Sequence, residues 1–108
     1  MASPYLWRGT DKEGVECFIA REQWNAHVVK RPEITDAFDL TVRAMQSPDR
    51  VELDPNREDE ASRYFRLLVI SAEELRVGYE LRVSVKYVLQ NNGAWFMFFQ
   101  SCWFERAR

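Results

Sequence analysis

The chain has one histidine and two cysteines among its 108 residues, and this scarcity narrows its chemistry at the outset. Cys17 and Cys102 are too few for a disulfide framework, and with His27 as the lone imidazole they are poor material for a zinc site. Both thiols stand in apolar, strand-like runs, where a buried free cysteine is expected. No glycine-rich phosphate loop, nucleophile elbow or CxxC pair occurs, which excludes the common nucleotide, acyl-transfer and redox signatures. The longest unbroken apolar run, Ala94–Phe99, is six residues, far short of the roughly 20 that span a bilayer. The opening MASPYLWRG lacks a basic stretch followed by an apolar one, so the expected location is cytoplasmic, without membrane attachment. Acidic residues do cluster in ELDPNREDE at 52–60. That stretch lacks the glycine and spacing of a calcium loop and reads as solvated. No metal and no cofactor is therefore expected.

What is present is a core. Hydrophobic residues make up 46% and aromatics 14% of the chain, which describes one well-packed domain over residues 1–108. The net charge of −2 is unevenly spread: residues 1–62 hold 8 Lys/Arg against 13 Asp/Glu, and residues 63–108 hold 7 against 4. An acidic protein can still gather cations on one face.

Tyr5–Arg8 and Val15–Ile19 flank the turn-like GTDKEG and predict an opening hairpin. Ala20–Lys30 suits a helix with Trp24, Val28 and Arg31 on one side, ending near Arg31 because the residue before a proline avoids the α region. A second helix follows, with Thr35 as N-cap and Phe38, Leu40, Val42, Ala44 and Met45 as its apolar face. SPD at 47–49 stops it. Strands are then expected at Val51–Leu53, Arg63–Ile70, Glu80–Leu89 and Ala94–Phe104. The resulting fold is α+β: an N-terminal hairpin and two helices packed on a mainly antiparallel sheet of about four strands.

Asn91-Asn92-Gly93 signals a hairpin between the last two strands. A two-residue Asn92-Gly93 turn would set Leu81 opposite Phe104, Ser84 opposite Ser101, Arg82 opposite Trp103 and Lys86 opposite Phe99. Cations, hydroxyls and rings would then share one sheet face. A three-residue loop with a bulge would shift the pairing by one and exchange the faces. The row of charges is either a solvated face or a surface that holds single-stranded nucleic acid by stacking and phosphate neutralisation.

His27 divides the same way. A lone histidine on the flank of a packed helix face is ordinarily structural. Arg31, one turn later, disfavours the imidazolium and suits a neutral general base.

Three stretches, in order, carry a resemblance. HVVKRPEI at 27–34 resembles the His-Ile-x-x-Arg-His-Pro-Glu segment of phage-associated members of the barnase–EndoU–colicin–RelE (BECR) nuclease superfamily. SPDRV at 47–51 with RYFR at 63–66 resembles their Asn-Pro-Asp-x-Ile and Arg-Tyr-Tyr-Lys continuation. SCWF at 101–104 stands where that family ends in a strand with a Thr-Ala-Tyr-like triplet. The second histidine before the proline is absent here, and Trp103 replaces a tyrosine. The resemblance implies a small BECR-like α+β endoribonuclease or toxin-like domain that cleaves RNA without a metal, by attack of the ribose 2′-hydroxyl on its own phosphate. His27 would be base or acid, with Arg31, Arg63 and Lys86 around the phosphate and Ser101 orienting it. Trp103 would stack a base, with Arg82 and Phe99 also on the RNA-facing surface. Glu33 and Tyr64 are the remaining options for a second proton carrier. A toxin implies a protein inhibitor or antitoxin as partner, and the acidic helix faces also suit a homodimer. The competing expectation is a non-catalytic RNA- or protein-binding module.

Overall fold

The computed structural model describes residues 3–54 and 64–108. β1 (Tyr5–Thr10) and β2 (Glu16–Ala20) form the opening hairpin, α1 (Arg21–Lys30) follows directly, and a 3-10 segment (Pro32–Ala37) leads into α2 (Phe38–Gln46). β3 (Arg50–Leu53), β4 (Phe65–Ser71), β5 (Tyr79–Leu89) and β6 (Trp95–Arg106) complete the chain.

The architecture is α+β, as the patterning predicts, but the sheet is larger than about four strands. Six strands form one mixed sheet in the order β1-β2-β6-β5-β4-β3. The opening hairpin joins it because β2 runs parallel to β6, pairing Glu16, Cys17 and Phe18 with Phe96, Met97 and Phe98. The physical reason lies in β2 itself: Cys17, Phe18 and Ile19 are consecutive and all buried. Successive strand residues point to opposite faces, so both faces of β2 must be covered, which an isolated hairpin cannot arrange.

Both helices pack on one face. Ile34, Ala37, Leu40, Ala44 and Met45 meet Cys17 and Ile19 of β2, Leu68 and Ile70 of β4, Leu81, Val83 and Val85 of β5, and Met97, Phe99 and Cys102 of β6. Trp24 closes this core from α1, edge-on to Phe38 at 5.1 Å and tilted against Phe99 at 5.4 Å. The second helix starts later than expected. Thr35 is no N-cap; it lies inside the 3-10 segment and its Oγ1 donates to Pro32 O at 2.6 Å.

The β5–β6 hairpin also departs from the two-residue turn. Gln90 and Ala94 close a three-residue loop, with Gln90 N–H donating to Ala94 O at 2.8 Å and Gly93 at φ +86°. That positive φ is the conformation glycine adopts without a Cβ penalty. Near the loop Leu89 pairs with Trp95, Tyr87 with Met97 and Lys86 with Phe98. A bulge at Gln100 then restores the expected register, so Ser84 faces Ser101, Arg82 faces Trp103 and Leu81 faces Phe104. Between loop and bulge the faces are exchanged. Phe99, expected on the wet surface beside Lys86, is instead 2% exposed in the core.

The helix-free face has its own order. Phe18 stacks on Phe98 at 5.0 Å, and Arg8 lies over the Phe18 ring at 5.3 Å. Farther across the sheet, Arg50 bonds both carboxylate oxygens of Glu80, at 2.8 and 3.1 Å. Arg82 joins it, bonding Glu80 at 3.0 Å and pairing with Glu52 and Glu105.

Candidate functional site at the α1–β6 edge

The parallel β2–β6 ladder stops at the pairing of Phe18 with Phe98, yet β6 continues to Arg106. Its backbone edge beyond Phe98 would be left unpaired, which is costly for partly buried groups. Helix α1 takes over that edge. Gln23 and His27 stand four residues apart, on one helix face. Gln23 Nε2 donates to Gln100 O at 2.6 Å, and His27 Nε2 lies 2.6 Å from Cys102 O and 2.9 Å from Cys102 N.

A single ring nitrogen cannot serve both backbone groups at once. Protonated, Nε2 donates to Cys102 O; unprotonated, it accepts the Cys102 N–H. In either case Nε2 is occupied by β6, and no partner engages Nδ1 among the described residues. The ring stands edge-on to Phe99 at 6.0 Å and is half-buried.

Around this anchor His27, Arg31, Ser101 and Trp103 line one cleft of about 320 Å³. Arg31 is the C-cap of α1 and sits 3.8 Å from Glu33, a loose exposed pair that leaves most of its guanidinium donors unused among the described residues. Ser101 and Trp103 alternate with Cys102, so their side chains leave β6 on the face away from the helical core. Opposite Ser101, the buried Ser84 donates to Asp54 at 3.0 Å. Burial pushes the Cys102 thiol up to about 12, which keeps it protonated and unreactive beside the cleft. Burial raises Cys17 to about 12 as well.

Four of the eight residues expected at a site thus come together: His27, Arg31, Ser101 and Trp103. The others do not join them. Lys86 is exposed two positions along β5 from Ser84, with its Nζ 5.7 Å from the Phe65 ring. Arg82 opposes Trp103 but is held by three carboxylates, Glu52, Glu80 and Glu105; its Nε touches Glu105 off hydrogen-bond alignment. Those carboxylates occupy the donors a phosphate would need. Phe99 is core. Arg63 lies outside the described residues. Glu33 flanks Arg31, whereas Tyr64 lies at the far end of the sheet against Trp95, ring centroids 6.2 Å apart.

Sequence patterning alone did not single out Gln23. Its i,i+4 relation to His27 was visible, but only the strand edge beside α1 gives that spacing a purpose. Patterning also gave no sign of a second, larger groove of about 460 Å³. Glu13, Val15, Val51, Arg66, Tyr87 and Trp95 line it at the loop end of β5 and β6. Burial raises the Tyr87 phenol there to about 12. Among the described residues, no group of three or more His, Cys, Asp or Glu side chains is placed to hold a metal ion, and no helix is long and apolar enough to cross a membrane. No protein-family model, curated protein or solved structure matches this chain.

Proposed function

We propose that the α1–β6 cleft binds single-stranded RNA and cleaves its backbone by attack of a ribose 2′-hydroxyl on the adjacent phosphate. One observation supports this reading above the others. An imidazole, a guanidinium, a hydroxyl and an indole, drawn from two segments some seventy residues apart in the chain, line one cleft. They are the groups such a transfer uses.

With its Nε2–H on Cys102 O, His27 has a lone pair on Nδ1 and takes the 2′-hydroxyl proton. The 2′ oxygen bonds phosphorus, the bond from phosphorus to the 5′ oxygen breaks, and that leaving oxygen takes a proton from solvent. Products are a 2′,3′-cyclic phosphate and a 5′-hydroxyl. Arg31 and Ser101 hold the non-bridging oxygens as charge builds on them, and Trp103 stacks a flanking base. Lys86 and Arg82 have no part in this step, which departs from the expectation that Lys86 flanks the phosphate and Arg82 faces the RNA.

Purified protein incubated with RNA in EDTA should yield cyclic-phosphate ends. His27→Ala and Arg31→Ala should each lower the rate by about 100-fold or more, within the range of general-base and charge-stabilising contributions. No cleavage by the wild type, or equal cleavage by His27→Ala, would sink the reading. The alternative, a non-catalytic RNA- or protein-binding module, draws on two observations: Nε2 is committed to the backbone, and no second proton carrier lines the cleft among the described residues. Salt-dependent RNA binding without cleavage would favour it.

A further inference from the structure

The bulge in β6 leaves a choice that the core does not make. Val85 pairs with Phe99 and Val83 with Cys102, and both of these β6 residues are buried under the helices. Between them β5 has one residue, Ser84, while β6 has two, Gln100 and Ser101. Either could oppose Ser84, with the other as the extra residue of the bulge. Phe99 and Cys102 keep their places in both arrangements, so hydrophobic burial is indifferent between them. The cleft is not indifferent. With Ser101 opposite Ser84, its hydroxyl leaves the strand on the helix-free face and lines the cleft with His27, Arg31 and Trp103. With Gln100 opposite Ser84, an amide would take that place and Ser101 would drop out of the alternation.

Two amides favour the arrangement present. The extra residue of a bulge leaves the ladder, so its backbone groups need other partners. Gln23 Nε2 reaches across from α1 and donates to Gln100 O at 2.6 Å. That oxygen is turned to α1 on the outer edge of β6, whereas pairing with Ser84 would turn it in towards β5. The Gln100 side chain folds back along its own strand, donating from Nε2 to Phe99 O at 3.2 Å and Phe98 O at 3.4 Å. Held there, it does not extend from the helix-free face. Neither amide is part of the buried core: Gln23 is exposed and Gln100 half-buried.

We infer that Gln23 and Gln100 are positioning residues of the cleft, which keep Gln100 as the extra residue of the bulge and so deliver Ser101 to the site. The pairing they set belongs to the fold, and its consequence for cleavage rests on the RNA reading of the cleft.

Cross-strand NMR contacts in the RNA-free protein read the choice directly. Wild type should show Ser84 against Ser101. The double variant Gln23→Met/Gln100→Met removes both amides at similar side-chain length. Its Ser84 contacts should move to position 100 while those of Phe99 and Cys102 stay. Contacts between Ser84 and Ser101 that persist unchanged would overturn the inference. If the double variant does not fold, Gln23→Met, a change at an exposed position, should show a second set of Ser84 contacts, and the absence of that set is equally fatal. Gln23→Lys keeps an N–H donor and should hold the wild-type pairing; a shift as large as that of Gln23→Met would mean that the donor is not the cause. Cleavage is scored separately. Ser101→Ala and the double variant should each slow it by about 100-fold, near the effect of removing one donor to developing charge. Adding Ser101→Ala to the double variant should slow it no further, because the glutamines act through Ser101. Full additivity would overturn their positioning role. A wild type without cleavage would sink the RNA reading and leave the pairing to be decided by the NMR contacts.

Discussion

His27 carries two loads that a single substitution can separate. Its Nε2 stands in for the strand neighbour that β6 lacks at Cys102, and its ring lines the cleft. Alanine removes both and leaves partly buried backbone groups of Cys102 without a partner, which costs about 1–3 kcal/mol. Glutamine can reach the same edge with an amide that both donates and accepts, but it cannot act as a base near neutrality. His27→Ala should therefore unfold at clearly lower urea than wild type, with His27→Gln in between or close to wild type, and both should cleave RNA slower than wild type by about 100-fold or more. Equal stability of all three would mean that the edge hydrogen bond contributes nothing.

At the scale of elements, the bulge in β6 decides which phenylalanine is structural. Phe98 and Phe99 are adjacent and chemically identical, so composition cannot rank them. The three-residue loop around Gly93 sets the register, and the Gln100 bulge shifts it back after Phe99 has been turned into the core. Phe99→Ala should cost about 3–5 kcal/mol, as for other fully buried aromatics. Phe98→Ala should cost clearly less, because Phe98 is only half-buried on the helix-free face. Chemical denaturation of both variants checks the order, and a larger destabilisation for Phe98 would mean an unbulged register. The pairing of Ser84 with Ser101 and Leu81 with Phe104 was expected from a two-residue turn, and it holds because the Gln100 bulge offsets the third loop residue. The exchange nearer the loop was not legible, because one residue of loop length reverses every side chain that follows it.

For the molecule as a whole, buried thiols and a paired carboxylate bound the pH range of stability. Cys17 and Cys102 titrate near 9.0 when free and are pushed to about 12 by burial. Between those values the unfolded chain holds fewer protons than the folded one, so stability falls as pH rises, by about 1.4 kcal/mol per pH unit for each thiol. Tyr87 adds to this decline above its ordinary phenol range. At the acid end the Arg50 hydrogen bonds, followed by Arg82, hold Glu80 below its usual carboxylate value. Its contribution is present above the unfolded value of 4.5 and is lost as pH falls through the folded one. Urea midpoints followed by tryptophan fluorescence should decline as pH rises above about 9, and a Cys17→Ala/Cys102→Ala variant should decline less steeply. A flat alkaline profile would contradict the burial of the thiols.

Composition and periodicity alone determined the mixture of two helices with strands, the stop at Pro32, the amphipathic second helix and the alternation in Glu80–Leu89. Each follows from local sterics and from one face meeting a core, information carried within a few consecutive residues. The tertiary structure decided what depends on distant neighbours. It placed the opening hairpin inside the sheet through the parallel β2–β6 pairing, and set α1 on the bare edge of β6. It also gathered His27 and Arg31 with Ser101 and Trp103 while committing Arg82 to three carboxylates. Helix and strand patterns record which side of an element is buried. Which other element buries it is settled by long-range packing, and the cleft is a product of that packing.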